Sequence, residues 1–323
     1  MGDIQMSKHE IPVIEIKLEK HPGADALSLV RIDGYVVVIK TADWKDGDLA
    51  AYIAPDYVVP NTEQFAFLNG HLRIKPHKFR GIISEGLLIK LPQDAKVGDE
   101  MMERLGITRY EPPMEMSFYG DNEKGPPGTY PKYDVESYKK YHTLIASGEE
   151  VVITEKLHGA SARYLFLNGR MWVGSRSHWK KQNDKDPWWK ALSQNAWIEG
   201  WAVQHEGYCL YGEIFGQVQN LKYGCATNEI RFAAFDILYK NEWLDYTEAR
   251  KISPQYLWCW VPEIYRGPFD KEKSLQMAEE DSSINGASHY REGVVVQPIL
   301  NRWSPEIGRV KLKIVGNRYF QKE

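Results

Sequence analysis

The stretch Val151-Val-Ile-Thr-Glu-Lys-Leu-His-Gly-Ala160 decides how the rest of the chain is read. An apolar, β-prone run ends in Thr154-Glu155-Lys156 and breaks at Gly159, which predicts a strand that delivers one lysine to the lip of a pocket. A lysine is a poor nucleophile while protonated and becomes a good one when burial or nearby cations lower its pKa, so Lys156 is a candidate nucleophile. Spacing alone does not single it out, because Lys-x-x-Gly recurs at Lys20, Lys78 and Lys313. Context has to separate the four.

Downstream of this stretch, runs rich in Val, Ile, Phe and Tyr predict strands at 162–166, 171–175, 208–215, 232–239, 293–298 and 310–315. Asp186-Pro187 supplies an N-cap and first-turn pair for a helix running through Trp188, Leu192 and Ala196 to Val203. Strands that come mostly in series imply an α+β domain with antiparallel sheets. Trp172, Trp179, Trp188, Trp189, Trp197 and Trp201 are expected in the core or on helix faces rather than as a base-stacking platform.

Upstream, short strand-like runs at 11–18, 27–32, 35–39, 49–54 and 86–91 are separated by turn signals such as Asp33-Gly34 and Lys45-Asp-Gly-Asp48, which predicts a small all-β barrel over residues 1–108. Lys75, His77, Lys78 and Arg80 form a short basic stretch beside Gly81, able to touch phosphates or to be a solvated loop. From 109 to 130, Pro112, Pro113, Gly120, Gly125-Pro-Pro-Gly128 and other breakers predict an interdomain linker, followed by a short helix ending near Ser147-Gly148 and a second domain over 131–323.

The 323 residues suffice for two cores, and a net charge of −3 leaves no whole-molecule basic field, so any nucleic-acid surface must be local. Three cysteines without Cys-x-x-Cys spacing exclude a disulfide framework and favour a reducing compartment. With no apolar run of membrane-spanning length and no leader-like N-terminus, a soluble intracellular protein of cytoplasm or nucleoplasm is expected, monomeric by default.

Certain charged residues could work with Lys156. Lys311 and Lys313 share one strand face and could hold a phosphate. Glu292 precedes the apolar Gly293-Val-Val-Val296, and Glu213 lies between Gly212 and Gly216, which permit close approach of a ligand. Carboxylates beside lysines suggest Mg²⁺ or Mn²⁺, and the set of residue types fits phosphoryl or nucleotidyl transfer.

Thr154-Glu-Lys-Leu-His-Gly159, Gly174-Ser-Arg-Ser-His178, Tyr211-Gly-Glu-Ile-Phe-Gly216, Arg231-Phe-Ala-Ala-Phe-Asp-Ile237, Arg291-Glu-Gly-Val-Val-Val296 and Val310-Lys-Leu-Lys-Ile314 follow one another in the order of motifs I, Ia, III, IIIa, IV and V of the covalent nucleotidyltransferases, the superfamily of DNA ligases, RNA ligases and capping enzymes. The run resembles most the ATP-dependent RNA ligases, with Glu-Lys-x-His-Gly in motif I. His21-Pro-Gly-Ala-Asp-Ala-Leu27 and Phe79-Arg-Gly-Ile-Ile-Ser-Glu-Gly-Leu-Leu88 resemble the OB module with which some aminoacyl-tRNA synthetases hold tRNA. The chain stops ten residues past Lys313, so the resemblance is to the type with an N-terminal OB domain and no C-terminal one. It implies an OB-like barrel followed by an α+β, ATP-grasp-like adenylylation domain.

The resemblance also assigns roles. Lys156 would attack the α-phosphate of ATP and carry AMP, and Lys311 and Lys313 would bind that phosphate. Glu213 would take the ribose hydroxyls, Phe235 would stack on adenine, and Arg176 would contact the nucleotide phosphate or the RNA 5′-phosphate. Glu292 would hold the metal or its waters. Glu155 would belong to the nucleotide site, and His158 would assist the joining steps or be an ordinary hydrogen-bonded histidine. The RNA would carry 3′-OH and 5′-phosphate ends, at a nick in a duplex, with Arg170, Arg176, Lys180, Lys181 and Lys185 as a track for its backbone. Two alternatives stay open: an RNA- or tRNA-binding protein with an inactive transferase domain, and a guanylyltransferase or DNA ligase relative.

Overall fold

The computed structural model describes residues 11–55, 57–91, 94–110, 122–253 and 259–320. Within these, residues up to 110 together with 139–142 form one compact unit, and 122–138 with 143 onward form another. No helix among the described residues is long and apolar enough to cross a membrane.

The first unit is all β. Its strands are β1 (Val13–Glu15), β2 (Glu19–Lys20), β3 (Leu27–Ile32), β4 (Tyr35–Lys40), β5 (Leu49–Ile53), β6 (Tyr57–Val58), β7 (His77–Phe79), β8 (Ile82–Ser84), β9 (Leu87–Lys90) and β10 (Thr108–Arg109). They pair as β1-β5-β9, β2-β3-β4, β6-β10 and β7-β8. β5 lies between two clusters of the core. Its alternate residues enter two different clusters, Ala50 and Tyr52 on one side, Ala51 and Ile53 on the other, so both faces of the strand are covered. Lys139 belongs to this unit through an ion pair with the buried Glu85 and a hydrogen bond from Gly34 N–H to its carbonyl, 2.9 Å.

The second unit holds β11 (Asn122–Glu123), β12 (Glu136–Ser137), β13 (Glu150–Lys156), β14 (Ala160–Leu167), β15 (Arg170–Ser175), β16 (Trp179–Lys180), β17 (Tyr208–Gly216), β18 (Ile230–Tyr239), β19 (Glu242–Trp243), β20 (Glu263–Pro268), β21 (Gly293–Pro298), β22 (Trp303–Ser304), β23 (Gly308–Arg309) and β24 (Leu312–Val315). Among the described residues these make a seven-stranded sheet, β11-β16-β15-β14-β17-β18-β19, and a five-stranded sheet, β12-β24-β21-β13-β20. Every pairing in the two sheets is antiparallel except β12 with β24. The Lys-Leu-His-Gly turn joins β13 of one sheet to β14 of the other, which places the opening stretch at a crossing between them.

Three expectations from the sequence change. The single helix over 187–203 is two, α1 (Pro187–Gln194) and α2 (Trp197–Gln204). Asp186 caps α1 as expected, accepting from Trp188 N–H at 2.9 Å, but the Asn195 side chain bonds the carbonyls of Ala191 and Ile230 and ends it. Among the described residues no α-helix forms from 131 to 147: Glu136–Ser137 is drawn into the sheet beside β24, and only a 3₁₀ turn, His142–Leu144, follows. Of the residues expected as linker, Arg109 lies in β10 and Asn122–Glu123 pair with β16, while 111–121, with Pro112, Pro113 and Gly120, lie outside the described residues. The tryptophans do pack inward, with Trp179, Trp188 and Trp201 buried.

Candidate active site

Strand alternation sorts the residues of the opening stretch. Thr154 and Lys156 face one side of β13 and Glu155 the other. Lys156 is in register with Gly293, so the residue before that glycine, Glu292, is brought beside it, and Lys156 Nζ donates to Glu292 Oε1 at 2.6 Å. Gly293 is required there, since a Cβ would collide with the Ile314 carbonyl. The other oxygen of Glu292 lies 3.5 Å from His158 Nδ1, and that nitrogen is 3.1 Å from Tyr319 Oη, accepting or donating according to its tautomer. His158 N–H donates to Tyr223 Oη at 2.7 Å.

Gly159 turns the chain. A Cβ there would strike the Ile214 carbonyl and come 3.0 Å from Glu213 Cγ, so only glycine lets the turn press onto β17. The Gly159 N–H bonds to the Glu213 carboxyl. The two carboxyls differ. Burial pushes the Glu292 pKa up, but Lys156 and then His158 outweigh it, and the value falls to about 2. For Glu213 burial dominates, Lys156 opposes it, Glu292 reinforces it, and the pKa rises to about 8. At neutral pH one ionised and one protonated carboxyl therefore flank Lys156.

A second cluster surrounds Asp236 on β18. This buried carboxylate pairs with Arg309, accepts from Tyr133 Oη at 2.6 Å and from Lys311 Nζ at 3.1 Å. Burial would raise its pKa, but Arg309 and then Lys311 bring it to about 2. Lys311 is lowered to about 8, by burial first and by Arg309, with Asp236 holding it up. Its ammonium lies 5.7 Å from the ring centre of Phe235 and 5.3 Å from that of Tyr133. The half-buried Phe235 carries Tyr133 tilted against it at 4.5 Å. Lys313 is half-buried on β24 between the buried Leu312 and Ile314, whereas Lys311, just before the strand, is itself buried.

The remaining candidates distribute differently from expectation. The Glu155 side chain is turned away from Lys156, buried, and accepts from Ser282 Oγ at 2.5 Å and Ser283 N–H at 2.7 Å. It anchors a loop that Arg291 also holds, through the Asp281 carbonyl at 2.7 Å and Ser283 Oγ at 3.1 Å. Lys180 cannot line an exposed RNA track: it is 1% exposed, with its ammonium 4.9 Å from the centre of the Trp188 ring. Burial lowers its pKa while Asp186 opposes the shift. Arg170 pairs with Glu123, and Arg176 with Asp134 at 2.7 Å. Lys181 and Lys185 remain at the surface.

Reading the sequence missed Asp236, Tyr133, Arg309, Tyr223 and Tyr319. One signal was present. Asp236 is the lone acid in Phe232–Leu238, an apolar strand, and a charge so buried needs a partner. Its partner is more than seventy positions away, in no pattern that local reading can find. Among the described residues no group of three or more His, Cys, Asp and Glu side chains is arranged to hold a metal ion.

The geometry defines a lysine held between two carboxyls at the crossing of two antiparallel sheets, with a second cation cluster on the same unit. The sequence profile of the RNA ligase family matches residues 149–315, from the start of β13 to the end of β24, and an OB-fold domain profile matches residues 12–91. The chain belongs to the RNA ligase family. It is similar in structure to the Naegleria gruberi RNA ligase solved with PPi, with a TM-score of 0.83, 24% identity, and 98% of this chain and 99% of that one covered. A variant of the same ligase solved with ATP and Mn superposes with a TM-score of 0.82, again at 24% identity, over 97% of this chain and 98% of the other. Phenylalanine–tRNA ligase β subunits of Neisseria gonorrhoeae and Neisseria meningitidis are 32% identical over 117 residues, 30% of this chain; the match spans only 14% of their length.

Proposed function

We propose that this RNA ligase uses ATP to join an RNA 3′-OH to a 5′-phosphate at a nick in a duplex, with Lys156 as the nucleophile. The observation that carries the reading is the placement of Lys156 Nζ, 2.6 Å from Glu292, the residue just before β21, which pairs with β24, the strand that carries Lys313. Deprotonated Lys156 attacks the α-phosphate of ATP, forming a P–N bond and breaking the bond to pyrophosphate. The AMP then passes to the RNA 5′-phosphate, forming a 5′–5′ pyrophosphate and freeing the lysine. The 3′-OH finally attacks that 5′-phosphate, forming the phosphodiester and releasing AMP.

Lys311 and Lys313 neutralise the α-phosphate. Asp236 offsets only one of the two cations Arg309 and Lys311, so the cluster carries one positive charge in excess with Lys311 protonated, and an anion beside it is favoured. Glu213, protonated below about pH 8, can both donate to and accept from ribose hydroxyls. The open part of the Phe235 ring receives adenine. Arg176 meets a phosphate on leaving Asp134, and Lys181 follows the RNA backbone. His158 steadies Glu292 through the joining steps.

Glu292 is the ionised carboxylate that would hold Mg²⁺ or Mn²⁺ in place of its present contacts with Lys156 and His158, and one carboxylate fits a hard cation that keeps waters and phosphate oxygens as its other ligands. When bound, the ion supplies charge neutralisation at the reacting phosphate. Sealing assays on nicked duplexes with each combination of RNA and DNA strands test the reading. Joining is expected where the 3′-OH strand is RNA; joining of all-DNA nicks at the same rate contradicts it.

A further inference from the structure

Within the barrel unit, β7 and β8 form a two-residue hairpin whose tip is Arg80-Gly81. Both tip residues have positive φ, 47° and 94°, the geometry of a type I′ turn, which favours Asn or Asp at the first position. Asn168 fills the corresponding place in another two-residue hairpin with both tip residues at positive φ, and Lys240 fills it in a third, so the position accepts a long basic side chain. An arginine in the left-handed region costs about 1 kcal/mol relative to Asn or Asp, and the turn itself does not call for a basic residue.

The composition around the tip is also unusual. All three residues of β7, His77, Lys78 and Phe79, are exposed, and Phe79 is 43% exposed. Of the large apolar side chains left open in this unit, Phe67, Phe79 and Val97, Phe79 alone has a cation on each side in sequence. No acidic residue lies between His71 and Ile83, and no ion pair holds Lys75, Lys78 or Arg80 among the described residues. The hairpin root is fixed, since buried His21 contacts the Phe79 carbonyl through Nε2 at 3.3 Å and accepts from Gly23 N–H at 3.0 Å. A rigid base therefore presents an open aromatic ring between unpaired cations.

We infer that the β7–β8 hairpin binds an unpaired nucleotide of the RNA, its base stacked on Phe79 and the flanking phosphates on Arg80 and Lys78. Strand alternation turns Phe79 to one face of the ribbon and Lys78 to the other, with Arg80 at the tip, so an RNA strand crossing the tip meets all three. Paired bases already have both faces stacked in the duplex, whereas an unpaired one offers its face to a ring. The inference rests on the RNA-joining reading above and adds to it that the substrate carries a single-stranded segment.

The test uses the full chain and two fluorescently labelled RNAs, a short single-stranded oligouridylate and a blunt duplex, titrated by anisotropy over a range of salt. Phe79→Ala is expected to weaken single-strand binding about tenfold, within the range known for loss of one base stack, and to leave duplex binding unchanged. Lys78→Ala with Arg80→Asn is expected to lower the slope of log affinity against log salt by about 1.4, from about 0.7 per lost phosphate contact. Asn suits the turn better than Arg, so this variant keeps the hairpin folded. Adenylylation of Lys156 without RNA, measured in parallel, should be unchanged in both; its absence in the unsubstituted chain would sink the ligase mechanism and not the hairpin. Single-strand affinity and salt slope equal to those of the unsubstituted chain, in both variants, would overturn the inference and leave the hairpin to a protein partner.

Discussion

Glu292 and Asp236 are both buried carboxylates with pKa values near 2, and both contact lysines, yet their surroundings differ in charge and in freedom. Glu292 faces Lys156, whose side chain is 25% exposed, and a second carboxyl that stays protonated at neutral pH. Asp236 faces two cations, Arg309 and Lys311, both nearly inaccessible to water. The first arrangement is balanced and can open; the second is locked and carries surplus positive charge. One suits a nucleophile that must be released, the other a fixed counter-charge for a phosphate.

Truncation should separate them most clearly. Asp236→Ala strands two buried cations and is expected to cost about 3–5 kcal/mol, read from urea unfolding. Glu292→Ala leaves a lysine that water can reach and should cost much less; equal losses would break the distinction. Lys311→Met removes the surplus cation, so stability should hold or rise, while label incorporation from ATP falls on the order of 100-fold. A Lys311→Met protein that is destabilised like Asp236→Ala would show that the cluster was balanced after all.

Acid should act on both clusters alike. Asp236 and Glu292 have folded pKa values below their ordinary ones, so they stabilise the fold above about pH 4.5 and lose that contribution as pH falls towards 2. Glu213 has the opposite sign. Its folded pKa of about 8 lies above the unfolded value, so stability declines as pH rises from about 4.5 to 8. Glu213→Gln should remove that decline and leave the acid limb intact, as measured by unfolding midpoints across pH. The smallest effect expected is for Tyr319→Phe, which deletes one hydrogen bond to His158 and should cost about 1 kcal/mol, with no change in the acid limb.

The sequence carried much of this fold because strand periodicity and turn residues are local. Leu27–Ile32 and Gly293–Pro298 were legible to the residue, and Asp186-Pro187 announced its helix. What could not be read was set by distant partners. Glu136–Ser137 becomes a strand only because β24 lies beside it, and Asn195 divides a helix by reaching the Ile230 carbonyl. The site divides in the same way. Lys156 and Glu292 were legible as types in order, whereas Glu155 and Lys180 looked available as charges and are committed elsewhere, to Ser282 and Ser283 and to the face of Trp188. Sequence shows which residues can carry a charge; packing decides which ones can spare it.

The most direct test of Lys156 is incubation of the protein with α-labelled ATP or GTP and Mg²⁺ in the absence of RNA, followed by peptide mapping of the protein. Label is expected from ATP alone, on the peptide containing Lys156, and none on a folded Lys156→Ala variant. Label on another lysine, label retained in Lys156→Ala, or no label from ATP in the unsubstituted chain would contradict it.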